Sequence, residues 1–383
     1  MQRDLIKTLT AAGLIALACV PALKHMGGAV LNRPSGSVSQ AENRRLALTP
    51  RWQGSVREYA DGMDRYLNDN FGLRGTGLRI NTALRRMVGD GAYSVVRGQD
   101  GWLFLGDGPM RQSFAGRGLI TPQILTGWHD KTQKINHAAQ AFNAPFVITL
   151  VPDKLRIYPE HAPRQYGAPA RRRLRQLLLE QTSRALPGQT VDIEPELLAA
   201  KPSGLVYAKT DTHWTGRGAY AAYRALMEGL NAQTDAPWPL LPQSALSETE
   251  IKNKDTDLRQ ILGDETMAKE SYSDRQLPQT APHPEVTVTP AGTGAQIHGT
   301  LVLERPPQAG KIDGERAPQT LVIIGDSFAD IAAPFFTHSF SRVVRLHHLE
   351  GTIDPGTINA YQPDAVILMP VERSIAGWHF PRP

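Results

Sequence analysis

The chain has 383 residues, 41% of them hydrophobic and 21% charged. This excludes a disordered chain and a multi-span membrane protein, and leaves room for one large α/β domain or two ordinary ones. Its formal charge of +5, from 42 Lys and Arg against 37 Asp and Glu, is mild and spread along the sequence. Nothing in that balance indicates nucleic-acid binding, but it favours an anionic partner, a uronate polymer or a membrane surface, through weak long-range attraction.

The first thirty residues stand apart. Arg3 and Lys7 precede an apolar stretch from Leu9 to Leu23, which Lys24 closes, the pattern of a secretory signal or a short membrane anchor. A full span takes about 20 apolar residues, so the run is marginal as one. Ala16-Leu17-Ala18 fits a small-x-small cleavage site, and Cys19 comes next in loose likeness to a lipoprotein box. Uncleaved anchor, cleaved signal and lipoprotein stay open, and all three export the body of the protein. Cys19 is also the only cysteine, so the exported part holds no disulfide, no cysteine nucleophile and no thiolate metal site. Residues 31–50, polar and small, read as a linker, and 51–383 as the exported domain.

From Trp52 to Met87 the pattern is helical, broken near "NDNFGLRGTG". "SVVRGQDGWLFLG" predicts a hairpin about Asp100-Gly101, a pair that tolerates tight-turn dihedrals. Helices and strands then alternate. Leu125, Trp128, Ile135, Ala138 and Phe142 recur at helical spacing, and "PFVITLVPD" reads as a strand. "RRRLRQLLLEQTSRAL" reads as a helix whose cluster from Arg171 to Arg175 covers a solvated face, and "TVDIEP" as a short strand. Next come a helix from Gly218 to Leu230 and an apparent insertion over 235–300, with a helix candidate near "NKDTDLRQIL" and β-like "EVTVTP". "TLVIIGDSF" predicts a buried strand entering a turn, "ADIAAPFFTHSF" a helix, and "SRVVRLHHL" and "PDAVILMPVERS" two more strands. Continuous apolar strands separated by helices predict an α/β fold with a mostly parallel sheet covered on both faces.

With cysteine unavailable, the candidate nucleophile is Ser327 in "LVIIGDSFAD". Gly325 allows a sharp exit from the strand, which leaves Asp326 and Ser327 at its carboxyl end, where open α/β sheets bind ligands. A serine at a helix start lies beside unpaired backbone N–H groups that can hold an oxyanion. The competing reading is plain helix capping, which Asp and Ser do well. "DTHWTGRGAY" offers a partner: in an extended segment Asp211 and His213 point to one side. The carboxylate then orients the imidazole and leaves its other nitrogen for a serine proton. Alternatively, Asp211 caps the helix near Gly218.

"YLNDNFGLRG", "GQDGWLFLG", "VPDKLRIYPE", "DTHWTGRGAY", "IIGDSF" and "PDAVILMPVERS" occur in this order. Together they resemble the SGNH-hydrolase-like domain of the alginate O-acetyltransferase family, of AlgJ and AlgX type. The resemblance implies a three-layer α/β/α sandwich with a circularly permuted motif order, and a triad of Ser327, His213 and Asp211. It implies a periplasmic O-acetyltransferase with an exopolysaccharide acceptor, a membrane-bound acyltransferase supplying acetyl groups, and an N-terminus at the inner membrane. No cofactor or metal is expected. Departures from the wider SGNH class are an acid two rather than three residues before the histidine, and no recognisable Gly and Asn blocks. Since the chain ends at Pro383, soon after the last strand, it looks closer to AlgJ than to AlgX, which carries a carbohydrate-binding module.

Four further residues are candidates for substrate contact, each with a structural alternative. Trp214 walls a pocket or fills the core; Lys154 and Tyr158 bind a carboxylate or sugar hydroxyl or lie in a solvated loop. Arg373 anchors an acidic sugar or pairs with Glu372. His347 and His348, as adjacent strand residues, are expected to point to opposite faces, and Asp211 and His213 have no further metal ligand at useful spacing.

Overall fold

The structure is a computed structural model. It describes residues 95–106, 121–170, 173–263, 267–278, 284–289, 299–305, 319–348 and 355–376, with residues 59, 111 and 114–116 in isolation. The anchor over 1–30, the linker over 31–50 and the helical pattern over 52–87 lie outside the described residues. Among the described residues no helix is long and apolar enough to cross a membrane. The chain divides into two compact units, and nearly all described residues belong to the one formed by Gly91–Arg259, Thr266–Gly292 and His298–Pro383.

That unit opens on a hairpin of β1 (Val95–Arg97) and β2 (Leu103–Leu105). Its turn puts Asp100 (φ 55°) and Gly101 (φ 79°) in the left-handed region, as the Asp-Gly pair predicts. Helix α1 (Pro122–Gln140) is capped by the Thr121 hydroxyl, which accepts from Ile124 N at 3.2 Å. Trp128, Ile135 and Ala138 face inward as their spacing predicts, whereas Phe142 lies beyond the helix and is exposed. Next come β3 (Phe146–Ile148), α2 (Lys154–Ile157), α3 (Leu174–Ala185), α4 (Glu194–Ala200) and α5 (Gly216–Asn231). Strands β4 (Ser247–Lys254) and β5 (Glu270–Gln276) pair antiparallel as a separate arm, with α6 (Asp257–Leu262) between them. The chain then runs through β6 (Glu285–Thr289), β7 (Thr300–Glu304), β8 (Thr320–Gly325), α7 (Ser327–Phe336), β9 (Arg342–His347), α8 (Pro355–Asn359), β10 (Ala365–Met369) and α9 (Glu372–Ala376).

The main sheet has the order β3-β10-β8-β9-β7-β6. Its first four strands are parallel; β7 and β6 are antiparallel additions at one edge. Side chains alternate between two cores. Leu321, Ile323, Ala365, Ile367 and Met369 pack on one face with α5 and α7, while Val322, Ile324, Val366 and Leu368 pack on the other with α1 and α3. This double covering explains the unbroken apolar runs and makes a three-layer α/β/α sandwich, as the resemblance implies. Each fully buried aliphatic side chain contributes about 1.5–3 kcal/mol.

Two sequence expectations are corrected. "TVDIEP" forms no strand but one parallel bridge, Thr190 to Ile148, before the chain turns into α4. The reason lies in Arg175, expected on a solvated face but buried beneath that turn. It donates to Leu150 O (2.7 Å), Asp192 Oδ1 (2.5 Å) and Glu194 Oε2 (3.0 Å). Arg173 is buried as well. Strands β4 and β5 are not legible in the sequence, because charged and polar residues fill most of their positions.

Candidate active site

Because β3, β10, β8 and β9 are parallel, their carboxyl ends gather at one edge of the sheet. There β8 ends at Gly325 and α7 begins at Ser327, with Asp326 as N-cap. Glycine is needed at 325 for space rather than for its dihedral: a Cβ there would lie 2.7 Å from Cβ of Ala329. Asp326 is buried and joins three elements. Its Oδ1 accepts from Phe328 N (3.0 Å), and its Oδ2 accepts from Val371 N (2.9 Å) beyond β10 and lies 3.3 Å from His348 Nε2 beyond β9. Burial opposes its ionisation, but His348 and the Val371 N–H hold its carboxyl below the usual range. Ala329 N–H also bonds to Asp326, through the main-chain carbonyl at 2.9 Å. Ser327, at the first helical position, has an N–H with no intrahelical acceptor.

The acid and the imidazole come from a turn over 209–213, flanked by the antiparallel bridge Tyr207 to Trp214. It is a bend, not the extended segment expected. Asp211 Oδ1 accepts from His213 N at 3.1 Å, the local turn of an Asp side chain onto the backbone two residues on. The same oxygen lies 2.8 Å from His213 Nδ1. His213 Nε2 in turn lies 2.7 Å from Ser327 Oγ, across 114 positions of sequence. Thr215, not Asp211, caps α5, accepting from Gly218 N at 3.3 Å. The His213 ring rests on Phe328 (5.1 Å between centroids), and its side chain keeps 17% exposure, so the site is open to solvent.

A second carboxylate converges on the ring, and nothing in the sequence signals it beyond a charged helix start. Asp257, first residue of α6, has Oδ2 3.5 Å from His213 Nδ1. Its Oδ1 accepts from Thr212 N at 2.8 Å, and its Oδ2 accepts from the Thr212 hydroxyl. Burial and then the charge of Asp211 push the Asp257 carboxyl above its usual range. For Asp211 burial acts the same way, but the hydrogen bond and charge of His213, with Lys254, win and hold it far below. Ligand atoms of Asp211, His213 and Asp257 lie within 4.8 Å of one another, so the fold brings a third potential metal ligand that sequence spacing did not offer. The surroundings suit an ion-free site: Lys254 Nζ lies 3.4 Å from Asp211 Oδ2, and Thr212 donates to both Asp257 oxygens. His347 and His348 stack with centroids 5.2 Å apart rather than facing opposite ways, since β9 ends between them.

The four lesser candidates are distributed unevenly. Lys154 is buried, and its ammonium donates to Ala208 O (3.1 Å), Lys209 O (2.9 Å) and Asp211 O (2.7 Å); it holds the turn from beneath and does not face solvent. Tyr158 is in the core against Trp102, its hydroxyl accepting from Val206 N at 3.0 Å. Trp214 is 3% exposed and packs edge-on against Phe328 behind the site. Arg373 keeps a partly exposed side chain, lies over Phe328 at 5.1 Å and pairs with Asp153 (2.7 Å), not with Glu372. Glu372 instead accepts from Asp153 N at 2.8 Å.

Known proteins share this arrangement of elements. The chain is similar to "Structure of Bacillus cereus PatB1 with sulfonyl adduct" at 15% identity and TM-score 0.52, over 75% of this chain and 100% of that one. It is similar to the "O-Acetyltransferase Domain of Pseudomonas putida AlgJ" at 16% identity and TM-score 0.50, over 74% and 93%. At such identities these likenesses speak for the fold. Among curated proteins, "Probable alginate O-acetylase AlgJ" of Pseudomonas aeruginosa is 28% identical over 195 residues, 50% of this chain and 47% of that protein. The protein of the same description from Azotobacter vinelandii is 28% identical over 182 residues, 47% and 44%. The chain thus spans about half the length of the curated relatives it matches. The family described as "SGNH hydrolase-like domain, acetyltransferase AlgX" matches residues 95–351, a span holding Asp211, His213 and Ser327. On that match, the chain belongs to the AlgJ/AlgX-type family of SGNH hydrolase-like acetyltransferases.

Proposed function

We propose that the protein is a polysaccharide O-acetyltransferase that carries the acetyl group on Ser327. The observation that carries this reading is the hydrogen-bonded relay from Asp211 through His213 to Ser327, 2.8 Å and 2.7 Å long. His213 Nε2 takes the Ser327 proton as Oγ attacks the acetyl carbonyl of a donor. Asp211 holds the ring and steadies its positive form. The Ser327 N–H receives the oxyanion; losing such a donor typically costs about 3 kcal/mol. When the intermediate collapses, the bond to the donor's leaving atom breaks and that atom takes the proton from Nε2. A sugar hydroxyl then gives its proton to Nε2 and attacks the acetyl-serine; the acetyl–Oγ bond breaks, and Oγ takes the proton back from Nε2, which restores free Ser327.

The acceptor is an exopolysaccharide, alginate or a similar polymer such as cellulose; the curated relatives named alginate O-acetylase support this, as does a basic chain. Arg373, a partly exposed cation beside Phe328, suits an anionic sugar. Export by the N-terminal segment puts the reaction in the periplasm at the inner membrane, where a membrane-bound acyltransferase supplies the acetyl group. The test incubates the purified full chain with an activated acetyl ester and a panel of oligosaccharides, with mass spectrometry of both. Acetyl-Ser327 and an acetylated sugar are expected, and Ser327→Ala should lower acetylation by roughly 10³-fold or more. Wild type that never acquires acetyl on Ser327 would overturn the mechanism; acetyl-Ser327 that passes only to water would make the protein an esterase.

A further inference from the structure

The turn that carries Asp211 and His213 has no helix or strand of its own to fix it. Beyond Lys154 beneath it, its fixed points come from the β4–α6–β5 arm. Glu270, at the start of β5, accepts from Lys209 N (2.6 Å), Thr210 N (2.8 Å) and the Thr210 hydroxyl (2.5 Å). Asp274, also on β5, accepts from Gly216 N and Arg217 N, both at 2.9 Å, just past the turn. Gly216 lies so close to β5 that a Cβ would stand 2.4 Å from Arg275 O. Lys254, at the end of β4, pairs with Asp211 at 3.4 Å. Between these supports Asp257 holds Thr212, the residue separating acid from base, by both its N–H and its hydroxyl.

From this juxtaposition we propose that Asp257 is a positioning residue for the acid–base step: it fixes Thr212 and sets a second negative charge beside His213 Nδ1. The inference rests on the Ser327 acetyl-transfer reading. Asp211 is buried and Asp257 half-buried; two such carboxylates repel each other, and a fold keeps the pair ionised only where other groups offset the repulsion. Here the offsets are Lys254 against Asp211 and the two Thr212 donors against Asp257. Burial and the neighbouring Asp211 push the Asp257 carboxyl upward, so the fold holds this charge at a cost to its own stability. Groups that are strained in this way are commonly functional. When His213 takes the Ser327 proton, the imidazolium forms 2.8 Å from one carboxylate and 3.5 Å from the other. Other charges act on this cluster from the packed elements: Lys254 on β4, Lys154 beneath the turn, Glu270 on β5 and Asp330 on α7. Of the charged groups among the described residues, only Asp211 and Asp257 come within 4 Å of Nδ1; the neutral Thr212 hydroxyl lies 3.2 Å from it.

The test compares Asp257→Asn, Asp257→Ala and Asp257→Glu with wild type in the full chain. Readouts are the rate of Ser327 acylation by p-nitrophenyl acetate, its pH profile and the thermal unfolding midpoint. Asn keeps an oxygen for the Thr212 N–H and loses the charge. Asp257→Asn should therefore slow acylation roughly tenfold or more and move the acid limb of the profile to lower pH, since one anion beside the ring is gone. Its unfolding midpoint should stay level or rise. Asp257→Ala should be slower still, and Asp257→Glu should recover part of the rate. Wild-type rate and profile in Asp257→Asn would overturn the inference while leaving the Ser327 reading intact. So would a rate loss that only tracks a fall in midpoint, with the profile unmoved. Acylation that persists in Ser327→Ala would instead overturn the underlying reading, and this inference with it.

Discussion

The two halves of the candidate site are built in opposite ways. The nucleophile half is local: an apolar strand, Gly325, the capping Asp326 and the first turn of α7 place Ser327 within about ten consecutive residues. Its contacts from Val371 and His348 come from residues just past β10 and β9, the neighbours of β8 in the sheet. The acid–base half has no regular element, and its shape is imposed by Lys154, Lys254, Asp257 and Glu270, scattered over more than a hundred positions. Stiffness in the first half comes from secondary structure. In the second it comes from buried charge contacts, so it should be more sensitive to distant substitutions.

The sharpest way to break that contrast is Glu270→Ala. The substitution strands two donors, Lys209 N and Thr210 N, in a partly to fully buried setting, and leaves the Thr210 hydroxyl with Thr256 Oγ1 alone, at 2.8 Å. A buried hydrogen-bonded charge removed in this way costs about 3 kcal/mol. Urea unfolding should show that loss, and Ser327 acylation should fall although Glu270 touches neither Ser327 nor His213. Wild-type acylation in a stably folded Glu270→Ala protein would mean that the turn holds its own shape.

Gly325→Ala probes the other half with a change of one methyl group. The new Cβ would stand 2.7 Å from Cβ of Ala329 and 3.3 Å from Met369 Cγ, so α7 must shift away from β8 and take Ser327 with it. Overpacking of this kind costs about 1–3 kcal/mol. The unfolding midpoint should drop and acylation slow together. An unchanged midpoint would show that the strand-to-helix junction has slack, against the idea of a rigid local half.

The same contrast explains what is readable from sequence. "LVIIGDSFAD" carries its structural logic in order, so the strand, the turn, the helix and the exposed serine are all legible. Asp211 and His213 are legible as a pair because a carboxylate two residues from an imidazole is chemically suggestive. Their supports are not. "SETEIKNK" and "ESYSDRQ" have few apolar residues, because the inner face of this arm meets a polar turn and a helix start rather than a hydrophobic core. Lys154 stands out for its place after β3, but as a surface group; nothing local to it announces that three carbonyls from a segment more than fifty residues away will surround it.

Lys154 gives the finest test, because its two protonation states hold the turn differently. Burial drags its pKa down to about 7, against the pull of Asp257, Asp211 and Glu270. In the unfolded chain a lysine titrates near 10.4. Between those values the unfolded chain binds more protons than the folded one, so this residue's contribution to stability rises with pH; below 7 it is flat, because both states are protonated. The slope is at most about 1.4 kcal/mol per pH unit. The difference in unfolding free energy between wild type and Lys154→Met should therefore climb from about pH 7 towards 10, which urea titrations at stepped pH can track. A neutral amine, however, has two N–H donors for three carbonyls, so the turn should loosen as it becomes cheaper to bury. Stability and acylation should then part company above pH 7 in wild type and not in Lys154→Met. A flat difference would show instead that the three carbonyls keep the ammonium charged throughout, and that the hydrogen bonds of the turn outweigh the burial of the charge.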